Sequence, residues 1–363
     1  MIFDDLLCIR KGSADLTLGY RPSRIEKIIT ADEWKSKAEA LREIFRQTLG
    51  ESSAVSSPLL PQIIEEAECK DHIRRKVAYS LEPDERICAY VLIPRNISGK
   101  SPAVICIHQT TPLGKEQTIG NDPSEEGQDY ACALHLVRRG YITLAYDLLS
   151  AGERCYPGLK AFDTEPFYKK HPKWSVRGKD LWDATRAIDL LYTMKEVDTA
   201  RIGSVGHSQG GGITIHAMAL DERIKAGVSS CGLCPARISK NPFGEARTGW
   251  WVGRPFLRPY CLAGKQFPID LHEYLAMIAP RAIFVSSALN DFMYVPEEEG
   301  IIRPAFENMA ENVEKVFDLL GAGGNFRMLL HAKGHGFIRE QREAAYAFLD
   351  EKLKKSSLSM KKS

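Results

Sequence analysis

What this chain lacks narrows its function before any motif is considered. No apolar run reaches the roughly 18 residues of a membrane-spanning helix, so no membrane partner is expected. Neither charge dominates: 49 Lys and Arg stand against 47 Asp and Glu, which argues against nucleic acid or another polyanion as partner. The opening residues, Met1-Ile2-Phe3-Asp4-Asp5, carry no basic segment followed by an apolar one; without a secretory pattern the expected location is cytoplasmic. Nine cysteines without regular spacing read as reduced, mostly buried thiols rather than a disulfide framework. Cys231-Gly232-Leu233-Cys234 has C-x-x-C spacing, but neither a second pair nor a nearby histidine completes a zinc set, so packing is the reading and no metal is expected. Internal repeats and low-complexity blocks are also missing.

With 363 residues the chain can bury roughly 75% of its unfolded surface. Ala31 to Leu49 places Trp34, Ala38, Leu41, Ile44, Phe45 and Leu49 at helical spacing, with Thr30 or Asp32 as cap. Ser52 to Pro61 is rich in Ser and Pro and should be irregular. Residues 1–62 are therefore expected to form a helical arm on the main body, too short for a core of its own. Strands are expected at Ile63–Cys69, Ile73–Ser80 and Ile87–Ile93, and a fully buried one at Ala103–Ile107. Helices and strands then alternate: a helix at Tyr130–Arg139, a strand at Tyr141–Tyr146, a helix at Lys179–Met194. Further strands follow at Ala226–Ser230, Ala282–Ser287 and Phe326–His331, and further helices at Ala305–Leu319 and Glu340–Leu353. Such alternation implies an α/β fold, a mostly parallel sheet with helices on both faces, spanning 63–355. Two long connections, 147–178 and 232–270, leave the carboxyl edge where ligands bind in open α/β sheets and are expected to form pocket walls or a lid. The basic end, 356–363, reads as a solvated tail.

The chain is organised around Gly206-His207-Ser208-Gln209-Gly210. A β-branched run leads in and a helix-compatible run leads out, so G-x-S-x-G falls in a strand–turn–helix setting. In such a turn the serine backbone is strained and the residues two before and two after it must be small. The hydroxyl is then lifted clear of the sheet, and the Gln209 N–H is aimed at a developing oxyanion. On its own the motif could also be a glycine-rich joint. A nucleophilic serine needs partners, and they occur where the chemistry requires them. The strand at Ala282–Ser287 empties into Leu289-Asn290-Asp291, and the strand at Phe326–His331 into Lys333-Gly334-His335-Gly336. Nucleophile, acid and base thus follow one another in the order Ser208, Asp291, His335, each past a strand end. His335 would accept the serine proton and Asp291 would hold the imidazole; the plainer alternatives are a turn residue and a helix cap. The loop His108-Gln109-Thr110-Thr111 after the central strand should give the second oxyanion donor, the Gln109 N–H, with Thr110 next. His331 and His335 are four apart, but a strand end and Gly334 intervene, which argues against zinc.

These features resemble the α/β-hydrolase superfamily and, within it, the dienelactone hydrolase/acetyl xylan esterase-like group. The resemblance is carried by His108-Gln109-Thr110-Thr111, Gly114-Lys115-Glu116, Gly140-Tyr141, Gly152-Glu153-Arg154, Trp182-Asp183, Arg186-Ala187-Ile188-Asp189 and Val197-Asp198 before Arg201-Ile202-Gly203. It covers about residues 63 to 353 and implies a serine ester hydrolase without cofactor. Dienelactone hydrolases proper use a cysteine nucleophile, whereas this chain has Ser208. Glucuronoyl esterases, also similar, carry their acid after the strand that follows the elbow; here that strand ends in Ser229-Ser230-Cys231, which leaves Asp291 as acid.

The second connection carries Phe243, Trp250, Trp251, Phe256 and Tyr260 among Arg237, Arg247, Arg254 and Arg258, either a stacking, cationic lid over a sugar or ring or anchors of that lid to the body. The first adds Tyr156, Phe162, Phe167, Tyr168 and Trp174 as an expected opposite wall, with Glu153-Arg154 as an ion pair fixing its loop. Substrate contacts are expected from His108, Thr110, His207, Trp250, Trp251 and Arg154; His207 doubles as a packing candidate, and His216 reads as a helix histidine. The expected activity is hydrolysis of small acyl or acetyl-sugar esters through an acyl-enzyme. A prolyl-oligopeptidase-like amidase and a lapsed ligand-binding hydrolase are the alternatives.

Overall fold

In the computed structural model, residues 6–11, 24–244, 246–247, 249–293 and 299–354 are described; the tail expected at 356–363 lies outside them. A nine-stranded sheet forms the centre. In chain order its strands are β1 (Gln62–Glu68), β2 (His72–Glu82), β3 (Glu85–Pro94), β4 (Ser101–Ile107), β5 (Ile142–Tyr146), β6 (Val197–His207), β7 (Ile224–Ser230), β8 (Ala282–Ala288) and β9 (Phe326–His331). Across the sheet they run β9-β8-β7-β6-β4-β5-β3-β2-β1. The six from β9 to β5 are mutually parallel, and β3, β2 and β1 complete an antiparallel edge. A separate two-stranded antiparallel sheet pairs Cys8–Lys11 with Arg24–Lys27.

The continuous apolar run of β4 makes sense in this sheet, because successive side chains point to opposite faces and both faces are covered. Ala103, Ile105 and Ile107 enter one core, Val104 and Cys106 the other. Over the first face lie α1 (Ala31–Leu49), α3 (Val176–Tyr192), α4 (Gln209–Leu220), α5 (Leu271–Ala276) and α6 (Glu299–Leu319); over the second lie α2 (Cys132–Arg138) and α7 (Arg339–Leu353). Thr30 does cap α1, in a reciprocal capping box with Glu33. The buried stripe Trp34, Ala38, Leu41, Phe45 and Leu49 joins the principal core.

Element boundaries differ from the periodic pattern where capping or packing overrides it. α3 starts earlier than Lys179 because Ser175 caps it, its hydroxyl accepting from the Gly178 N–H at 3.0 Å. α6 starts before Ala305 and contains Pro304, a residue that periodicity alone would place ahead of a helix. α2 begins only at Cys132.

Both long connections leave the carboxyl edge, after β5 and β7. The first is fastened by buried charge. The Asp147 carboxylate accepts from the Lys115 N–H at 2.8 Å, from Lys115 Nζ at 2.6 Å and from the Glu153 N–H at 3.0 Å. Gly114 and Gly152 have φ of 57° and 52°, and a Cβ on either would stand 2.1 or 2.3 Å from Asp147 Oδ1. Glu153 and Arg154 do fix the loop, but not by pairing with each other. Glu153 binds Lys115 and Lys76, and Arg154 reaches Asp183 and Glu85, each at 2.7 Å. Burial works against the Arg154 charge, yet Asp183 and Glu85 outweigh it and hold the guanidinium above its ordinary pKa. Lys179 closes the network on Glu82, Glu85 and Asp183.

Breaking a buried pair leaves its partner charged and unpaired. Lys115→Met, which strands the Asp147 carboxylate, should lower unfolding free energy by about 3–5 kcal/mol, read from urea denaturation.

Candidate active site

The sharp turn between β6 and α4 sets the geometry. Ser208 sits at φ 51°, ψ −120°, a strained backbone for a residue with a side chain. Its N–H is held by Ser230 O at 2.8 Å. A Cβ on Gly206 would fall 2.2 Å from the Gly210 backbone, and one on Gly210 would fall 2.1 Å from Ile107 O. The motif's two glycines are therefore required by contact between β6, α4 and β4.

Ser208 Oγ lies 2.8 Å from His335 Nε2, and His335 Nδ1 lies 2.7 Å from Asp291 Oδ2. Asp291 follows β8 directly and is almost fully buried; its second oxygen accepts from the Met293 N–H at 2.9 Å. With Asp291 on Nδ1, the histidine presents Nε2 to the serine, the arrangement in which a ring can take a hydroxyl proton. Asn290, which no sequence motif marks, locks the loop after β8 to the loop after β9. Its Oδ1 accepts from the Gly334 N–H at 2.8 Å, and its Nδ2 donates to Ala332 O at 3.4 Å. The only signal in the sequence is its place beside Asp291.

The loop after β4 is braced from behind. His108 Nε2 accepts from the Leu148 N–H at 2.9 Å, so Nδ1 carries the proton that it donates to Gln109 O at 2.6 Å. Burial, the main cause, keeps this imidazole below its usual pKa and so neutral. Gln109 O also accepts from the Thr111 N–H, and Thr110 Oγ1 donates to Gln209 Oε1 at 3.2 Å. The loop thus spans from the central strand to the elbow with its peptide fixed.

Ser208, Gln209 and His335 open into a cavity of about 560 Å³, lined also by Gln109, Thr110, Arg177, Asp180, Arg247, Trp250, Trp251 and Phe292. Thr110, Trp250 and Trp251 are therefore brought to the cavity as expected. His108, His207 and Arg154 are not. His108 is the strut just described, and Arg154 is consumed by Asp183 and Glu85. His207 is buried between Tyr130 and Phe337, 4.8 and 6.2 Å between ring centres, with Ser230 Oγ on Nδ1; burial, reinforced by His335, drives its pKa well below the ordinary value. His216 is a core histidine against Phe45 and Tyr274.

The walls also differ from expectation. Phe167 and Trp174 pack with Leu149 and Val176 in a small core, with Tyr156 and Tyr168 against it, and the wall is built by Val176, Arg177 and Asp180 at the start of α3. Of the four lid arginines only Arg247 lines the cavity, its guanidinium 4.6 Å from the Trp251 ring centre. Arg254 is tied to Thr48 and Tyr274, Arg237 to Asp270, and Arg258 to the Ala246 and Arg247 carbonyls. The tryptophans line and anchor at once: Trp250 Nε1 donates to Ala161 O at 2.8 Å, and Trp251 packs on Phe162.

Among the described residues, one set could approach a metal ion: Cys231, Asp291 and His335, whose donor atoms lie within 4.8 Å of one another. Burial first, and the Asp291 charge second, push the Cys231 thiol up to about 12. It therefore keeps its proton at neutral pH.

Comparison with known proteins places the chain. The acetyl xylan esterase (AXE1) family model matches residues 25–234. The chain belongs to the acetyl xylan esterase (AXE1) family. A fungal glucuronyl esterase model matches residues 160–321, across the elbow and Asp291. YtaP of Bacillus subtilis (strain 168) is 25% identical over 317 residues, 86% of this chain and 98% of that protein. The carbohydrate esterase MZ0003, from an unknown prokaryotic organism, is 27% identical over 181 residues, 46% of this chain and 39% of its own length. The glucuronoyl esterase from Solibacter usitatus shares the fold, with TM-score 0.70 and 20% identity over 90% of this chain and 95% of that one. The AXE1-family chain is thus a carboxylic ester hydrolase on an α/β-hydrolase scaffold.

Asn290→Ala releases both loop ties without touching Ser208, His335 or Asp291. Misplacing a catalytic group by about 1 Å can cost about 10² in rate, and a fall of that order in kcat for p-nitrophenyl acetate, with Tm within a few degrees of wild type, is the expected result.

Proposed function

We propose that the protein removes small acyl groups, acetyl foremost, from sugar-sized alcohols by two-step acyl transfer at Ser208. The observation that carries this reading is the continuous path from Ser208 Oγ through His335 to Asp291, opening into a cavity with tryptophan walls. Ser208 Oγ attacks the ester carbonyl carbon as His335 Nε2 takes the hydroxyl proton; Asp291 stabilises the imidazolium. The tetrahedral oxyanion is held by the backbone N–H groups of Gln209 and Gln109, the second on a loop already braced by His108. Collapse breaks the bond to the alcohol, which leaves with the proton from His335. Water then gives a proton to His335 and attacks the acyl-serine, and the acid departs as Ser208 recovers its proton.

The small-acyl reading is supported by membership of the AXE1 family, and the sugar reading by a relative named as a carbohydrate esterase. Trp250 and Trp251 add flat apolar faces of the kind on which a sugar ring stacks.

Ser208→Ala should hydrolyse p-nitrophenyl acetate about 10⁴- to 10⁶-fold more slowly than wild type. Equal rates in the two proteins would remove Ser208 from the chemistry. Asp291→Asn, which puts the wrong hydrogen-bonding face against His335, should lower kcat by about 10⁴; near-wild-type turnover would transfer the acid role to another residue.

A further inference from the structure

Helix α3 carries three carboxylates, and two are fully engaged. Asp183 binds Arg154 and Lys179, and Asp189 binds Arg186 and Arg223. Asp180 stands apart. It is 1% exposed, its Oδ1 is buried without a hydrogen-bond partner, and among the described residues no salt bridge reaches it. It nonetheless lines the cavity that holds Ser208 and His335, so it meets that cavity where bulk water is largely excluded. A buried polar group left unpaired costs free energy. A hydroxyl placed in the cavity would complete its bonding.

We propose that Asp180 is a specificity-determining residue that hydrogen-bonds a hydroxyl on the alcohol part of the substrate, selecting esters of polyhydroxylated alcohols over those of simple ones. The inference rests on the esterase reading above and gives its alcohol subsite a named polar anchor. The carboxyl suits either direction of bonding. Burial first raises its pKa, Arg177 opposes this and Asp183 adds to it, and the outcome is about 7. At neutral pH both forms are present, so the group can accept from a hydroxyl or donate to one. Arg177 beside it adds a second polar wall group, and Trp250 and Trp251 add apolar faces. A site built to bond a hydroxyl discriminates strongly against an analogue without one, because its own polar group is then left unpaired.

The test uses wild type, Asp180→Ala and Asp180→Asn with two substrates. One is a monoacetylated methyl β-xyloside; the other is p-nitrophenyl acetate, whose alcohol part has no second hydroxyl. In Asp180→Ala the ratio of kcat/KM for the acetylated xyloside to that for the aryl ester should fall about tenfold or more, chiefly through KM. Asp180→Asn, which keeps an acceptor and adds donors, should restore most of that ratio. Ligand-free Asp180→Ala should melt at or above the wild-type Tm, because it removes an unpaired buried group. An unchanged ratio would overturn the inference whatever the Tm, and a lowered Tm beside it would make Asp180 a structural carboxylate. Wild type that cleaves the aryl ester but not the acetylated xyloside would overturn it too, while leaving acyl transfer at Ser208 intact. Were wild type inert toward both, the acyl-transfer reading would fall instead, and calorimetric titration with methyl β-xyloside decides this contact. Weaker binding to Asp180→Ala sustains it, and equal or absent binding ends it.

Discussion

Three backbones meet at the turn that carries Ser208, and the site depends on how closely they approach. Gly210 leaves no room for a Cβ against Ile107 O, and Gly206 leaves none against Gly210. That contact lets β6 stop, reverse and become α4 within one strained residue at φ 51°. The helix brings its unpaired first-turn N–H groups with it. The same closeness puts the loop after β4 beside the elbow, so Ser208 and that loop are positioned by one packing event. His335 and Asp291 arrive separately, from the ends of β9 and β8, and meet because those strands are neighbours in the sheet.

Much of this is legible in the sequence because it is tied to strand ends. A continuous apolar run followed by a glycine-flanked polar residue fixes where a side chain emerges, and Ser208 and His335 obey that rule, while Asp291 shows the same emergence just past β8. The capping box at Thr30 and the buried stripe of α1 are likewise local, written within a few turns of chain. What cannot be read is partner choice over long distance. Arg154 and His108 stand in polar loops that look like site loops. Only tertiary packing shows that one guanidinium is taken by Asp183 and Glu85, and that one imidazole is wedged between Leu148 and Gln109. Asp180 errs in the opposite direction. It reads as one more polar residue near the start of a helix, and only the way α3 presents that turn to the cavity sets it apart from Asp183, three residues on.

Charge is distributed with a division of labour. The network of Lys76, Lys115, Asp147, Glu153, Arg154, Asp183, Glu85 and Lys179 sets four cations against four carboxylates, each charge meeting an opposite one. Networks of this kind are costly to break at one point, although replacing them wholesale with apolar residues need not cost stability. Their service here is positional: Asp147 holds the start of one insertion against the loop after β4, and Arg154 holds its continuation against α3. Facing the cavity, by contrast, Glu126, Arg177, Asp180, Arg247 and His335 share one space.

The contact between Phe162 and Trp251, reinforced by the Trp251 N–H on Phe162 O, joins the two insertions over the cavity like the halves of an arch. The placing of Trp251 at the cavity is thus a joint property of segments far apart in sequence. Residues in contact do not change independently. In this chain, reshaping one insertion alone would break that joint, so changes to the two loops are expected to act on the cavity together rather than additively.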